Sequence, residues 1–265
     1  MKNNILLKEN VDMKKYAIVT FMFNNYDLLR EPLVVDENID YYCLTDDKQL
    51  KSNVWKCIYI PEFDTDKLTG VQKTYMAKYS FTKYIQNNYE YFITIDASIK
   101  IINELSSLID FMEKNNYDIG LSMHPSSKTW NSEYNAWIQT RGLDEKYKEI
   151  FMKVSEKYGF DINSETGLIE CTMKIYKNVK LVNDFINDVY NILLKENNFA
   201  DKNDQCYLTL IFNFYKNKLN TLFFSRQLYS NSKYFNSFYH KTENRWIDES
   251  ATNMLYGEEV KVTIF

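Results

Sequence analysis

Hydrophobic residues fall along this chain in two alternating rhythms. Short, nearly unbroken runs of apolar and β-branched residues occur at KYAIVTFMF (15–23), DYYCLTD (40–46), WKCIYI (55–60), YFITI (91–95), DIGLSMH (118–124) and GLIECTMKIY (167–176). Such continuous runs predict strands buried on both faces. Between them, apolar positions recur every three or four residues. That spacing predicts helices over 69–88, where Thr69 and Gln72 compose a capping box, over 104–115, over 178–197, and over 204–215 with a start near Asn203. Residues 131–160 read as a polar, mostly helical insertion or lid. TLFF (221–224) reads as a short strand, and the tail from about 230 is aromatic and polar without a clean period. Alternation of this kind predicts an α/β fold with a largely parallel sheet covered by helices on both faces. There is no internal repeat or Pro-rich linker, so a single domain spans 1–265, with a C-terminal segment from about 230.

Three predicted strands stop at a polar residue: Asp46, Asp96 and His124. In open α/β sheets ligands bind beyond the carboxyl ends of the strands. The three residues therefore read either as one site along a common sheet edge or as separate turn caps.

Composition narrows the partners. A chain of 265 residues buries a large core. Its net charge of −4, without a basic stripe, argues against nucleic acid as a partner. The four cysteines lack metal spacing and read as free thiols in a reducing compartment. No run reaches the roughly 18–20 apolar residues of a spanning helix, and the first fifteen residues hold no signal-peptide core. The expected location is cytoplasmic, with peripheral attachment at the inner membrane face as a variant.

An ordered set of short motifs adds to this. DYYCLTDD precedes Trp55. The Lys-rich segment VQKTYMAKYSFTKYI follows, and then a hydrophobic strand ends in Asp96-Ala97-Ser98. Downstream come His124-Pro125, Gly-Leu-Ile-Glu (167–170) and Asp204-Gln205. This order resembles GT-A-fold glycosyltransferases, in particular a glycosyltransferase-like domain family of bacterial surface-polysaccharide clusters and plants. The resemblance covers roughly residues 15–245. It implies a mixed, mostly parallel GT-A-like sheet whose C-terminal segment closes over the donor site. The activity it implies is transfer of a hexose from a nucleoside-diphosphate sugar, UDP-linked by default, to a glycan or lipid-linked acceptor. A non-catalytic nucleotide-sugar or glycan-binding module, and a sugar nucleotidyltransferase, are the alternatives. The nucleotidyltransferase is disfavoured because FNNYDLLREP, after the first strand, lacks the glycines of a phosphate-clamping loop.

The same resemblance assigns roles. Asp46 and Tyr26 would hold the base or ribose, Lys78 the phosphates, and Asp96, Gln205 and His124 the remainder of the donor. Asp96, Ser98 and the late His240 would hold Mn²⁺ or Mg²⁺. Ser98 stands where the broader fold carries a second acid, and one carboxylate with a hydroxyl holds a divalent ion less firmly than two carboxylates. The alternative means of meeting charge on the leaving phosphate is Lys or Arg, with Lys73, Lys83, Arg226 and Lys241 as further cations. The five-residue spacing of Lys73, Lys78 and Lys83 predicts that most of them face water. Asp204 and Glu170 compete as the catalytic carboxylate, and neither retention nor inversion is decided. Trp130, Tyr134 and Trp137 read either as an acceptor platform or as a helix packing face.

Overall fold

The structure, a computed structural model, describes residues 15–85, 89–142, 144–165, 167–197 and 203–241. The stretch read for a signal peptide (1–14), the end of the first predicted helix (86–88) and the tail beyond 241 lie outside the described residues.

The strands are β1 (Tyr16–Met22), β2 (Ile39–Thr45), β3 (Lys56–Tyr59), β4 (Tyr91–Ile95), β5 (Ile99–Ile101), β6 (Ile119–Met123), β7 (Ile169–Lys177), β8 (Thr221–Ser225) and β9 (Phe235–Ser237). Seven form one sheet in the order β3-β2-β1-β4-β7-β6-β8. Its pairs are parallel except at β7, which runs antiparallel to both β4 and β6. The continuous apolar runs have their cause here, because every residue of β1, β2 and β4 is buried. Ala17, Val19, Phe21 and Leu44 pack into one core, and Ile18, Met22, Cys43 and Ile93 into the core on the opposite face.

Helices α1 (Gly70–Lys78), α3 (Trp130–Arg141), α4 (Glu145–Lys157), α5 (Lys180–Ile192) and α6 (Asp204–Tyr215) contribute to the first core. Helix α2 (Ser106–Lys114) and the one-turn α7 (Gln227–Ser230) contribute to the second. The sequence-predicted architecture, a mostly parallel sheet flanked by helices, is present, with β7 as its one reversed strand.

Two features differ from the sequence reading. Helix α1 starts at the predicted capping box but ends at Lys78, ten residues early. Tyr75, Ala77, Lys78, Tyr79, Ser80 and Phe81 are all buried, more than one helical face can hold, and the chain passes into a 3₁₀ turn at Phe81–Lys83. The segment between β4 and α2, which the sequence reading left without an element, forms part of a two-stranded sheet. There β5 pairs antiparallel with β9, Ile99 opposite Ser237 and Ile101 opposite Phe235. That pairing returns the C-terminal segment to the end of β4. Of the two readings of the aromatic trio, the packing face holds for Trp130 and Tyr134: the Trp130 ring stacks on Phe151 with centroids 3.5 Å apart, and Tyr134 is fully buried. Only Trp137 of that aromatic trio reaches the cavity described next.

Candidate functional site

Strand β1 lies between β2 and β4, so the chain leaves its carboxyl end toward either side and opens a crevice there. A cavity of about 540 Å³ occupies this place. Tyr26 and Asp27 reach it from the loop after β1, and Asp96, Ala97 and Ser98 from the end of β4. His124 follows β6, Asp204 and Gln205 open α6, and Ser237–His240 lie across one side. Lys78, Trp137, Glu170 and Arg226 complete the sequence-predicted residues that share it. Asp46 does not line the cavity: its carboxylate accepts from Lys73 Nζ at 2.6 Å and from the Asn24 backbone N–H at 3.0 Å, fixing the turn after β1.

At the floor, Lys78 Nζ lies 2.6 Å from Asp96 Oδ1 and donates to the Cys171 carbonyl at 3.3 Å. Burial opposes the ammonium, but the Asp96 and Asp204 carboxylates outweigh it and hold the Lys78 pKa above its ordinary value. The adjacent Tyr79 donates from its hydroxyl to Asp204 Oδ2 at 2.9 Å. Two consecutive residues at the end of α1 thus position two acids. The expectation that most of the three lysines face water is corrected: Lys73 and Lys78 are buried, each on its own carboxylate, and only Lys83 is exposed.

Behind this floor lies Lys174, fully buried on β7, donating to the Cys171 carbonyl at 2.7 Å. It does not line the cavity. Burial, without a carboxylate of its own, lowers its pKa. The unfolded chain therefore binds this proton more readily than the folded one, and the lysine weakens the fold most below its lowered pKa. The penalty is relieved as pH rises from there toward the ordinary lysine value. Lys174→Met is expected to raise stability at pH 7 by about 1–2 kcal/mol, with the gain shrinking as pH rises toward the ordinary lysine value. Urea titrations at pH 7 and pH 10.5 check this.

The opposite end is acidic and hydroxyl-rich. The β6–β7 register slips between Leu121 and Ser122, a bulge that falls beside Cys171 and Thr172 where they line the cavity. Glu170 is buried there with both oxygens engaged, Oε1 by the Arg226 guanidinium (Nε at 2.9 Å) and Oε2 by the Tyr229 and Ser122 hydroxyls. His124 Nδ1 accepts from the Ser127 backbone N–H at 2.8 Å, which puts the ring proton on Nε2. That nitrogen sits 3.7 Å from Glu133 Oε2 and 4.0 Å from Glu170 Oε1. Glu133, on α3, is 4% exposed and accepts from Ser127 Oγ through Oε2. Its Oε1, like Asp204 Oδ1, accepts no hydrogen bond from the described residues. Gln205 Oε1 is buried and equally unpartnered among them. Glu133 and Asp204 line the cavity, and an acceptor oxygen left on each suits the hydroxyls of a ligand.

The C-terminal segment is pinned from below. Phe238 N–H donates to the Ser98 carbonyl at 2.9 Å. Arg30, buried on the loop after β1, donates to Asp27 Oδ1 at 2.8 Å, to the Ala97 carbonyl at 2.9 Å and to the Tyr239 carbonyl at 3.0 Å. Asp27 also takes His240 Nδ1 and the Lys241 backbone N–H. Burial works against this carboxylate, but His240, Arg30 and two backbone N–H groups hold it well below the usual range. Tyr26 packs on the His240 ring at 4.7 Å between centroids and is 60% exposed at the cavity mouth.

The sequence reading gives Asp27, Arg30 and Glu133 no place in the site. Asp27 and Arg30 stand three apart in NNYDLLREP, an acid and a base beside Glu31, and that spacing was the only signal. Glu133 sits among aromatics in WNSEYNAW, a segment the periodicity gives to a helix.

The residues assigned to a divalent ion make a poor set for one: a single carboxylate, Asp96, with one oxygen already on an ammonium, beside the neutral Ser98 hydroxyl and His240, whose Nδ1 is on Asp27. Among the described residues no group of three His, Cys, Asp or Glu side chains is arranged to hold a metal. No helix among them is long and apolar enough to cross a membrane. No family model matches this chain, and no curated protein matches it.

Proposed function

We propose that this chain is a glycosyltransferase of GT-A-like fold, moving a hexose from a nucleoside-diphosphate sugar, UDP-linked by default, to a glycan or lipid-linked acceptor of surface-polysaccharide assembly. One observation carries the reading. One cavity at the carboxyl ends of β1 and β4 is lined by the buried Lys78 ammonium and by two carboxylates, Glu133 and Asp204, that each keep an acceptor oxygen. Diphosphate oxygens accept hydrogen bonds and carry negative charge, so they belong at Lys78. Sugar hydroxyls donate, so they belong at Glu133 and Asp204. The half-buried Trp137 offers an apolar face for a sugar ring, and Tyr26 an exposed ring for a base.

In this reading the C–O bond between the anomeric carbon and the phosphate breaks, and the acceptor hydroxyl loses a proton. Asp204 is the carboxylate for the reacting centre. Its Oδ2 is fixed by Tyr79, and its Oδ1 remains for the oxocarbenium or the acceptor proton. Glu170, with both oxygens engaged, positions Arg226 and Tyr229 instead.

The test is release of free UDP from a panel of UDP-sugars, followed with Asp96→Asn in parallel. Release from one sugar, lowered about 100-fold in the variant, is the expected result. Absence of release from every sugar, with calorimetry detecting no UDP binding, overturns the reading.

A further inference from the structure

We infer that the negative charge of the departing diphosphate is met by the protein's own buried Lys78 ammonium, held by Asp96, and that donor binding needs no divalent metal ion. The inference rests on the function proposed above and deepens it.

The geometry assigns Asp96 a different task from metal binding. Its Oδ1 is 2.6 Å from Lys78 Nζ, so the pair is close to neutral as a unit. A divalent cation on Asp96 would sit beside the fixed positive charge of Lys78, a like charge. The other two assigned groups do not offset that repulsion. His240 brings no negative charge of its own, and Asp27, on its Nδ1, already shares its charge with Arg30. Ser98 contributes its carbonyl to Phe238 and keeps only a hydroxyl.

The same groups suit an anion. An ammonium has three N–H donors. Lys78 spends one on Asp96 and one on the Cys171 carbonyl, and the third has no acceptor among the described residues. Lys78 lines the cavity. Its stem is packed in the protein, so the charge is placed before the ligand arrives and little ordering remains to be done on binding. Asp96 is the positioning residue: it fixes the ammonium's direction and keeps it charged.

Calorimetric titration with UDP, once in EDTA and once in Mn²⁺, tests this on the intact chain. The expected result is the same Kd within about twofold in both, and no Mn²⁺ binding to the UDP complex by electron paramagnetic resonance. Lys78→Met is expected to weaken UDP at least about 30-fold and Lys78→Arg to recover most of it, with near-UV circular dichroism confirming that each variant is folded. UDP binding tenfold or more tighter in Mn²⁺ overturns the inference and leaves the transferase reading intact. No binding of UDP, ADP or GDP in either condition removes that reading and the inference together. If Lys78→Met does not fold, the comparison of EDTA with Mn²⁺ on the unaltered chain still decides.

Discussion

Asp204→Asn is expected to lower sugar transfer by about 10³-fold, within the range for a positioned acid–base group, while UDP affinity stays within about threefold. The asparagine carbonyl can keep the hydrogen bond from the Tyr79 hydroxyl, so the loop and the start of α6 keep their places. What changes is the atom toward the cavity. A carboxylate oxygen that accepts from a hydroxyl becomes an amide N–H₂ that donates, and a sugar or acceptor hydroxyl loses its acceptor. Asp204 is also the first residue of α6, where a negative charge complements the helix dipole. That contribution is about 0.3–1 kcal/mol. The two roles separate by measurement. If the carboxylate acts only as a helix-end charge, Asp204→Asn lowers the unfolding midpoint and spares kcat. If it acts on the reacting centre, kcat falls far more than stability does, and UDP binding is retained. Tyr79→Phe gives the graded companion. Removing its hydroxyl frees Asp204 Oδ2, and an expected loss of about tenfold in kcat with an altered pH profile would mark a positioning role. Unchanged kcat in both variants would move the catalytic role away from α6.

The rank of these residues explains what the sequence could and could not disclose. Asp96 and His124 were legible because strand ends are legible: a buried strand is a continuous apolar run, and the residue that ends it marks the sheet edge. Asp46 satisfied the same rule and lies at the same edge, yet its carboxylate serves Lys73 and the Asn24 turn. The rule locates an edge, and tertiary partners decide which edge residue is spent on structure. The lysines show the converse. Helical spacing says which side chains share a face, but it cannot say that two faces of α1 each meet an acid from a strand far away in sequence. Glu133 was hidden because a lone acid in an aromatic helix looks like solvent-facing polarity. Its burial depends on α3 folding back over the end of β6. The β5–β9 pair was hidden because three-residue strands carry almost no periodicity.

Asp27→Ala is expected to destabilise the fold by about 3–5 kcal/mol at pH 7, the cost of leaving one partner of a buried ion pair uncompensated. Asp27 and Arg30 are each 3% exposed at the side chain. Arg30 in turn holds the Ala97 and Tyr239 carbonyls, and the Trp55 indole N–H donates to the Arg30 carbonyl at 3.0 Å. Loss of Asp27 therefore leaves a guanidinium inside the protein and also releases His240 and the Lys241 backbone from the cavity's edge. The pH dependence has a definite sign. The folded-state pKa of Asp27 is depressed, so its contribution is fully present above the unfolded value near 3.9. As pH falls below about 4 the unfolded chain takes up the proton first, and the contribution declines toward the folded value. The stability gap between the native chain and Asp27→Ala is thus flat from pH 5 to 7 and narrows in acid. Urea unfolding at pH 7, 5 and 3 measures it. Adding Arg30→Met to Asp27→Ala should recover a large part of the loss, because an empty pair costs less than a half-empty one. UDP affinity should nevertheless remain reduced in the double variant, since the segment at Ser237–His240 has lost its anchor. Recovery of stability together with full UDP affinity would mean that this segment borders the cavity without shaping it.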